Sequence, residues 1–366
     1  TTDRVEEFAK VLHPGLIQAV IADVKDETPT TRTFTLKPQE GYAMPFFYAG
    51  QYVNVKFMID GKFVTRPYSI SSAPREATED NFLQITLKRK PGGYVCDYVW
   101  ENWKVGTPVE FDGGFGDGYW SAIRDKAHVV GVAGGSGITA LRSIAKDMAT
   151  SKRPEKLTIL YGSRNEGDVI FKEELEQIAA ASDGAITLHL ILSEPGEGWT
   201  GETGFISADI IKKLVPDWDQ VSYFVCGPQP MYDFLDGEFD KMGIRPRFIR
   251  KEEYGETDDI TRSPLYPKGC EDKTFQIKVV FGKDERIIPA KATDTVVVSL
   301  EKAGLAPDTR CRSGACGWCR SYLMEGDVWQ RPQSDGVRER DKDMGYFHPC
   351  SAYPMSDLTI QVFSRL

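Results

Sequence analysis

A chain of 366 residues is too long for one hydrophobic core and calls for two or three domains. Its formal net charge of -9 argues against a nucleic-acid partner, and a composition of 41% hydrophobic and 27% charged residues is that of an ordinary globular protein. No apolar run approaches a membrane span, no basic-plus-apolar leader is present, and seven cysteines do not make a disulfide scaffold at this length, so a cytoplasmic protein is expected.

Residues 1–14 place Val5, Phe8, Val11 and Leu12 on one face of a short amphipathic helix to which no chemistry is assigned. From Gly15 the pattern changes to alternation. LIQAVIADVKDE, RTFTLKPQE, QYVNVKFMID and FLQITLKRK read as strands separated by Gly, Pro and Asp turns, which predicts a small antiparallel β-barrel over 15–124. In it, Arg66-Pro67-Tyr68-Ser69 puts a guanidinium, a ring and a hydroxyl along one strand. These would suit a flavin's phosphate, ring system and N5; an ordinary edge strand is the alternative. Gly92-Gly93-Tyr94-Val95-Cys96 then opens a short helix, where free amides and the helix dipole favour an anion.

The composition shifts near Asp125. AHVVGVAGGSGITALRSIAKDMA reads as a buried strand, a glycine loop and an amphipathic helix, and strands alternating with helices continue to residue 254. That alternation predicts a parallel, helix-flanked α/β sheet over 125–254. Gly134-Gly135-Ser136-Gly137-Ile138-Thr139, Tyr161-Gly162-Ser163-Arg164 and Cys226-Gly227-Pro228 all fall at the carboxyl ends of its strands, where such sheets bind nucleotides. The loop lacks the G-x-G-x-x-G fingerprint.

Residues 255–272 carry no periodicity and read as a linker. Over 273–366 a hairpin, a helix and a final strand surround CRSGACGWC. Cys311, Cys316, Cys319 and the distant Cys350 have the C-x4-C-x2-C…C spacing of a plant-type [2Fe–2S] cluster, and Gly314, Ala315 and Gly317 let the backbone approach it closely. A zinc site would more often pair its thiolates in two short units.

Three motifs in order, R-x-Y-S (Arg66, Tyr68, Ser69), C-G-P-x-x-M (Cys226, Gly227, Pro228, Met231) and the cysteine run, make the chain over 15–366 resemble the ferredoxin–NADP reductase superfamily, and within it the reductases of the phthalate dioxygenase reductase type. The resemblance implies a flavin barrel, a nucleotide domain and an α+β β-grasp ferredoxin domain in series. It implies that Arg66 meets the flavin phosphate, that Tyr68 and Ser69 meet its ring, that Gly134–Thr139 holds the nicotinamide nucleotide, and that Cys226 lies where hydride leaves. Cys96 stands where the family usually has Ser or Thr, and Ala140 where it usually has Pro; Tyr254 is a candidate cover for the flavin. The implied activity is transfer of electrons from a nicotinamide through flavin to the cluster and on to a partner oxygenase or other metalloenzyme. The alternatives are a stand-alone diaphorase, a ferredoxin-to-NAD reductase running in reverse, and a non-catalytic redox-sensing module.

Aromatics in GGFGDGYW (113–120) offer an adenine a stacking surface and favour FAD over FMN. Ser163 and Arg164 suit a 2′-phosphate, but Glu166 and Asp168 oppose it and favour NADH over NADPH. His128 and His189 sit in apolar strands as packed residues. His348 is a candidate to hydrogen-bond near the cluster or is simply packed, Trp318 docks a partner or packs locally, and Arg310, Arg312 and Arg320 raise the cluster potential or meet an acidic partner.

Overall fold

The computed structural model describes residues 15–151, 155–253, 259–305, 307–332 and 336–363. The helix expected over 1–14 and the candidate Tyr254 lie outside them. The chain divides into two units, Thr1–Val53 with Tyr68–Glu252, and Asn54–Pro67 with Glu253–Leu366.

Strands β1 (Ile17–Thr28), β2 (Thr31–Pro38), β3 (Tyr52–Ile59), β4 (Lys62–Ser69), β5 (Leu83–Lys88) and β6 (Pro108–Phe115) form one sheet in the order β4-β3-β6-β1-β2-β5. Alternation is the cause: Ile17, Ala19 and Ile21 on β1 and Leu83, Ile85 and Leu87 on β5 are buried while their neighbours are more exposed. β1 pairs antiparallel with β2 and β6, and β2 with β5. Ile70, just past β4, bridges Ile85 of β5 and brings the two ends of the sheet together, as a barrel requires. Helices α1 (Pro74–Thr78) and α2 (Tyr94–Asn102) lie in the connections.

β7 (His128–Gly134), β8 (Lys156–Ser163), β9 (Ile186–Leu192), β10 (Glu202–Thr203), β11 (Ser222–Cys226) and β12 (Ile249–Lys251) make a parallel sheet in the order β10-β9-β8-β7-β11-β12. Helices α3 (Ile138–Ser151), α4 (Lys172–Ala180), α5 (Ala208–Leu214) and α6 (Gln229–Met242) connect its strands. The two faces carry separate apolar clusters, one including Ile138, Leu141, Ile159 and Phe224, the other Val130, Val132, Tyr223 and Phe239. Both faces of β7 are therefore covered, which explains why its sequence is continuously apolar rather than alternating. The strand order reverses at β7, so the loop after it opens at the switch point of the sheet.

In the second unit β13 (Thr274–Phe281) and β14 (Asp284–Lys291) form a hairpin whose two-residue turn begins with Gly282 at φ 63°. α7 (Val296–Lys302) follows, capped by Thr295, whose hydroxyl accepts from Val298 N at 3.3 Å. β15 (Ser321–Glu325), β17 (Tyr346–Phe347) and β19 (Leu358–Gln361) complete a mixed sheet in the order β14-β13-β19-β15-β17. A small ribbon of β16 (Val328–Gln330) and β18 (Ala352–Pro354) and the short helix α8 (Glu339–Asp343) lie beside it in sequence. β13 and β19 run parallel at the centre, and Val296 and Leu300 of α7 pack with Ile277, Val279 and Ile360. Part of the expected linker is built into this unit. Ile260 and Tyr266 are buried with Tyr353, and Tyr266 Oη donates to Ala292 O at 3.0 Å.

Candidate functional site

The cysteine loop is held in an unusual backbone path. Arg312, Gly314 and Gly317 have φ of 58°, 84° and 70°, turning successive amides toward the thiols. Ser313 N and Cys316 N donate to Cys311 Sγ at 3.5 and 3.4 Å, and Trp318 N donates to Cys316 Sγ at 3.5 Å. The thiols also bond to one another. Hydrogen bonds from Cys316 and Cys350 hold Cys311 below the usual thiol range, and one from Cys350 holds Cys319 low. The same bonds push Cys316 and Cys350 up. The sulfurs thus form a chain, 316–311–350–319, with Cys311–Cys316 and Cys319–Cys350 as its end pairs. Among the described residues no three such side chains converge on a single-ion point. Four clustered thiols in that spacing, with backbone amides aimed at the sulfurs, fit a two-iron cluster better than one tetrahedral zinc.

Arg312 corrects the sequence expectation. It is 1% exposed, and its Nη1 and Nη2 donate to the two Glu301 oxygens at 2.7 and 3.0 Å, so it is not displayed on the surface to an acidic protein. Glu301, on α7, is itself buried and also accepts from Arg66 Nη1 at 3.2 and 3.3 Å. One carboxylate therefore serves the cluster loop and the R-x-Y-S strand. Asn54 Nδ2 donates to Thr309 O at 3.0 Å, and the Thr65 and Thr309 hydroxyls are 2.6 Å apart, adding to the same seam. His348 is buried; its Nδ1 donates to Gly314 O at 2.7 Å, so it braces the loop through a carbonyl rather than through sulfur. Arg310 lies 3.4 Å over the Trp318 ring, and Trp318 is half exposed beside the exposed Cys316. Arg320 pairs with Asp341 at 3.4 Å.

On β4, Pro67 and Ser69 are buried while Arg66 and Tyr68 are half-buried. Arg66 Nε and Nη2 and the Ser69 hydroxyl have no partner among the described residues, a donor set suited to a phosphate and a ring nitrogen. At α2 the site differs from expectation. Gly92 N donates to Asp97 Oδ2 at 2.9 Å, so one amide meant for an anion is already taken. Gly93 is the N-cap, Val95 is buried, Tyr94 is exposed, and Cys96 lies near Gly93.

The nucleotide loop follows β7. Gly135–Gly137 make one 3₁₀ turn and Ile138 starts α3, with Thr139 Oγ1 donating to Ser136 O at 2.9 Å. A Cβ on Gly137 would sit 1.9 Å from Cys226 O, and one on Gly134 2.5 Å from Met231 Sδ. The two sequence motifs are thus brought into contact, and the close approach requires glycine. Cys226 is buried, donates to Glu252 O at 3.7 Å, and burial pushes its thiol up to about 12. Gly227 N donates to Tyr232 Oη at 3.0 Å, and Tyr232 Oη donates to Glu252 O at 2.7 Å. Ser163 ends β8, and Arg164 Nε pairs with Asp168 at 3.1 Å, while Glu166 accepts from Gly196 N. His128 is a packed residue, bonded to Asp217 and Thr158, and burial lowers the half-buried His189.

Three family models match in chain order: an oxidoreductase FAD-binding domain over 18–120, an oxidoreductase NAD-binding domain over 132–236, and a 2Fe-2S iron-sulfur cluster binding domain over 280–355. The glycine betaine monooxygenase reductase subunit of Chromohalobacter salexigens is 29% identical over 92% of this chain and 93% of its own. The stachydrine N-demethylase reductase subunit of Rhizobium meliloti is 24% identical over the same shares. Phthalate dioxygenase reductase shares the fold, with a TM-score of 0.68 and 21% identity over 96% of this chain and 98% of that one.

Proposed function

The chain belongs to the ferredoxin–NADP reductase superfamily, with the domain order of phthalate dioxygenase reductase, and on that premise we propose that it takes electron pairs from NADH and delivers them singly to a separate oxygenase. A bound flavin supplies the conversion between pair and single transfers, and a [2Fe–2S] cluster supplies a one-electron outlet. The chain's residues do the positioning. Arg66 would hold the flavin phosphate, Tyr68 would lie against the ring, and Ser69 would hydrogen-bond its N5. Gly134–Thr139 cradle the nucleotide pyrophosphate with backbone amides, and Cys226, Gly227, Pro228 and Met231 wall the nicotinamide. Cys226, kept a neutral thiol by burial, packs there without passing on its proton. Cys311, Cys316, Cys319 and Cys350 would hold the irons, and the half-exposed Trp318 would mark the docking face.

NADH is favoured because Arg164 is occupied by Asp168 and the strand end is acidic at Glu166. FAD is favoured over FMN by the match to an oxidoreductase FAD-binding domain over 18–120. The relatives' names make a small N-methylated ammonium compound the first substrate class to try with the oxygenase. No described helix is long and apolar enough to cross a membrane, and we assign the protein to the cytoplasm, where NADH is regenerated.

The chain of four thiols with amides aimed at them carries this reading. Its test is Cys316→Ser. The variant should still bleach its flavin with NADH anaerobically while losing reduction of a one-electron protein acceptor. Loss of flavin bleaching in folded, flavin-loaded variant would overturn the order of transfer.

A further inference from the structure

A second cavity lies in the first unit, away from the nucleotide loop. It has a volume of about 240 Å³ and is lined by Phe46, Tyr48, Trp120 and Phe224 together with two acidic residues, Asp147 and Glu155. Asp147 lies in the last turns of α3, nine positions beyond Ile138, hence about 13 Å along the helix from the nucleotide loop. The cavity exceeds the roughly 150 Å³ that admits a benzene ring in an apolar core. Tyr48 is 49% exposed, so the cavity has a mouth.

Its chemistry is lopsided. Glu155 is only 7% exposed, and its Oε2 has no hydrogen-bond partner among the described residues. A carboxylate buried without a partner is costly, and evolution usually pairs or removes it. Here it lines one cavity with several aromatic rings, whose π-faces also attract positive charge. At the rim a cation already lies over a ring: Tyr119 stacks on Tyr48 at 4.7 Å, and the Arg124 guanidinium, which also donates to Asp117 O and Tyr119 O, lies 4.9 Å from the Tyr119 ring. A metal ion would need more oxygen donors than the cavity brings together. An anion, or the carboxylate of a zwitterion, would be set against Glu155.

We propose that this cavity binds a small organic cation of the methylated or quaternary ammonium class, held by Glu155 and the aromatic rings. The site is separate from the electron path and does not depend on the redox reading.

The test is calorimetric titration of the full, cofactor-loaded protein with tetramethylammonium chloride at constant ionic strength. One saturable site per chain is expected, with choline binding at least as well and glycine betaine several-fold weaker. Glu155→Gln should weaken tetramethylammonium at least tenfold while leaving NADH-dependent ferricyanide reduction unchanged. Trp120→Leu should also weaken it, and this variant decides the matter if Glu155→Gln does not fold. Uncharged tert-butanol should bind at least tenfold more weakly than the ammonium ion. Absence of saturable binding, unchanged affinity in the folded variants, or equal affinity for tert-butanol would overturn the proposal; the last would mark the cavity as merely apolar.

Discussion

Replacing Glu301 tests the seam between the cluster loop and the R-x-Y-S strand. Glu301→Leu takes from Arg312, 1% exposed, the carboxylate to which both of its terminal nitrogens donate. Breaking a buried pair from one side costs about 3–5 kcal/mol. The Arg66 arm adds at most about 1 kcal/mol, since Arg66 retains some water at 22% exposure and its contact is longer, 3.2 Å. With a urea m-value of about 2 kcal/mol/M, the loss is a fall of about 1.5–3 M in midpoint. The assay is anaerobic urea titration followed by the visible circular dichroism of the cluster, which reports this unit alone. Arg312→Met combined with Glu301→Leu should recover most of the shift, because removing both charges can be nearly neutral. A single-variant shift below about 0.5 M, or a double variant no more stable than the single, would refute the claim that this ion pair sets the loop.

Gly137→Ala would drive a methyl group into Cys226 O, so KM for NADH should rise at least tenfold with flavin content unchanged, as steady-state kinetics and flavin absorbance would read. Asp168→Asn should free Arg164 and move the kcat/KM ratio toward NADPH by about tenfold. The Cys226 thiol, pushed up to about 12, stays neutral at working pH, so Cys226→Ala should leave the pH profile of flavin reduction between pH 6 and 9 unchanged in shape. The folded form keeps this proton after the unfolded thiol has lost its own. Its contribution to stability is therefore complete below the unfolded value of roughly 8.5 and disappears as pH rises toward 12. Denaturation midpoints of wild type and Cys226→Ala should converge with rising pH over that window.

Patterns of short range were legible in the sequence. Alternation on β1 and β5 placed the barrel, the apolar run of β7 followed by glycines placed the switch-point loop, and the cysteine spacing placed the cluster. What the sequence hid were pairings across long separations. Glu301 lies 235 positions from Arg66, and nothing in the local pattern of α7 distinguishes it from a solvated acid. Arg312 looked like one of three flanking surface arginines because no spacing reveals which of them turns inward with φ 58°. Ile260 and Tyr266 are too few and too widely spaced to register as a period, so a packed segment read as linker. Asp97 reaching back to Gly92 N is the one miss a local rule would have caught, since an acid in the first turn of a helix often bonds the free amides there.

The most direct test of the whole account is anaerobic titration of the purified, oxygen-protected protein with NADH, with iron and sulfide analysis on the same sample. The account predicts about two irons and two acid-labile sulfides per chain, bleaching of the flavin, and appearance of the EPR signal of a reduced [2Fe–2S] cluster. A protein containing zinc instead of iron and sulfide, or a cluster that NADH leaves oxidised while the flavin is reduced, would contradict it.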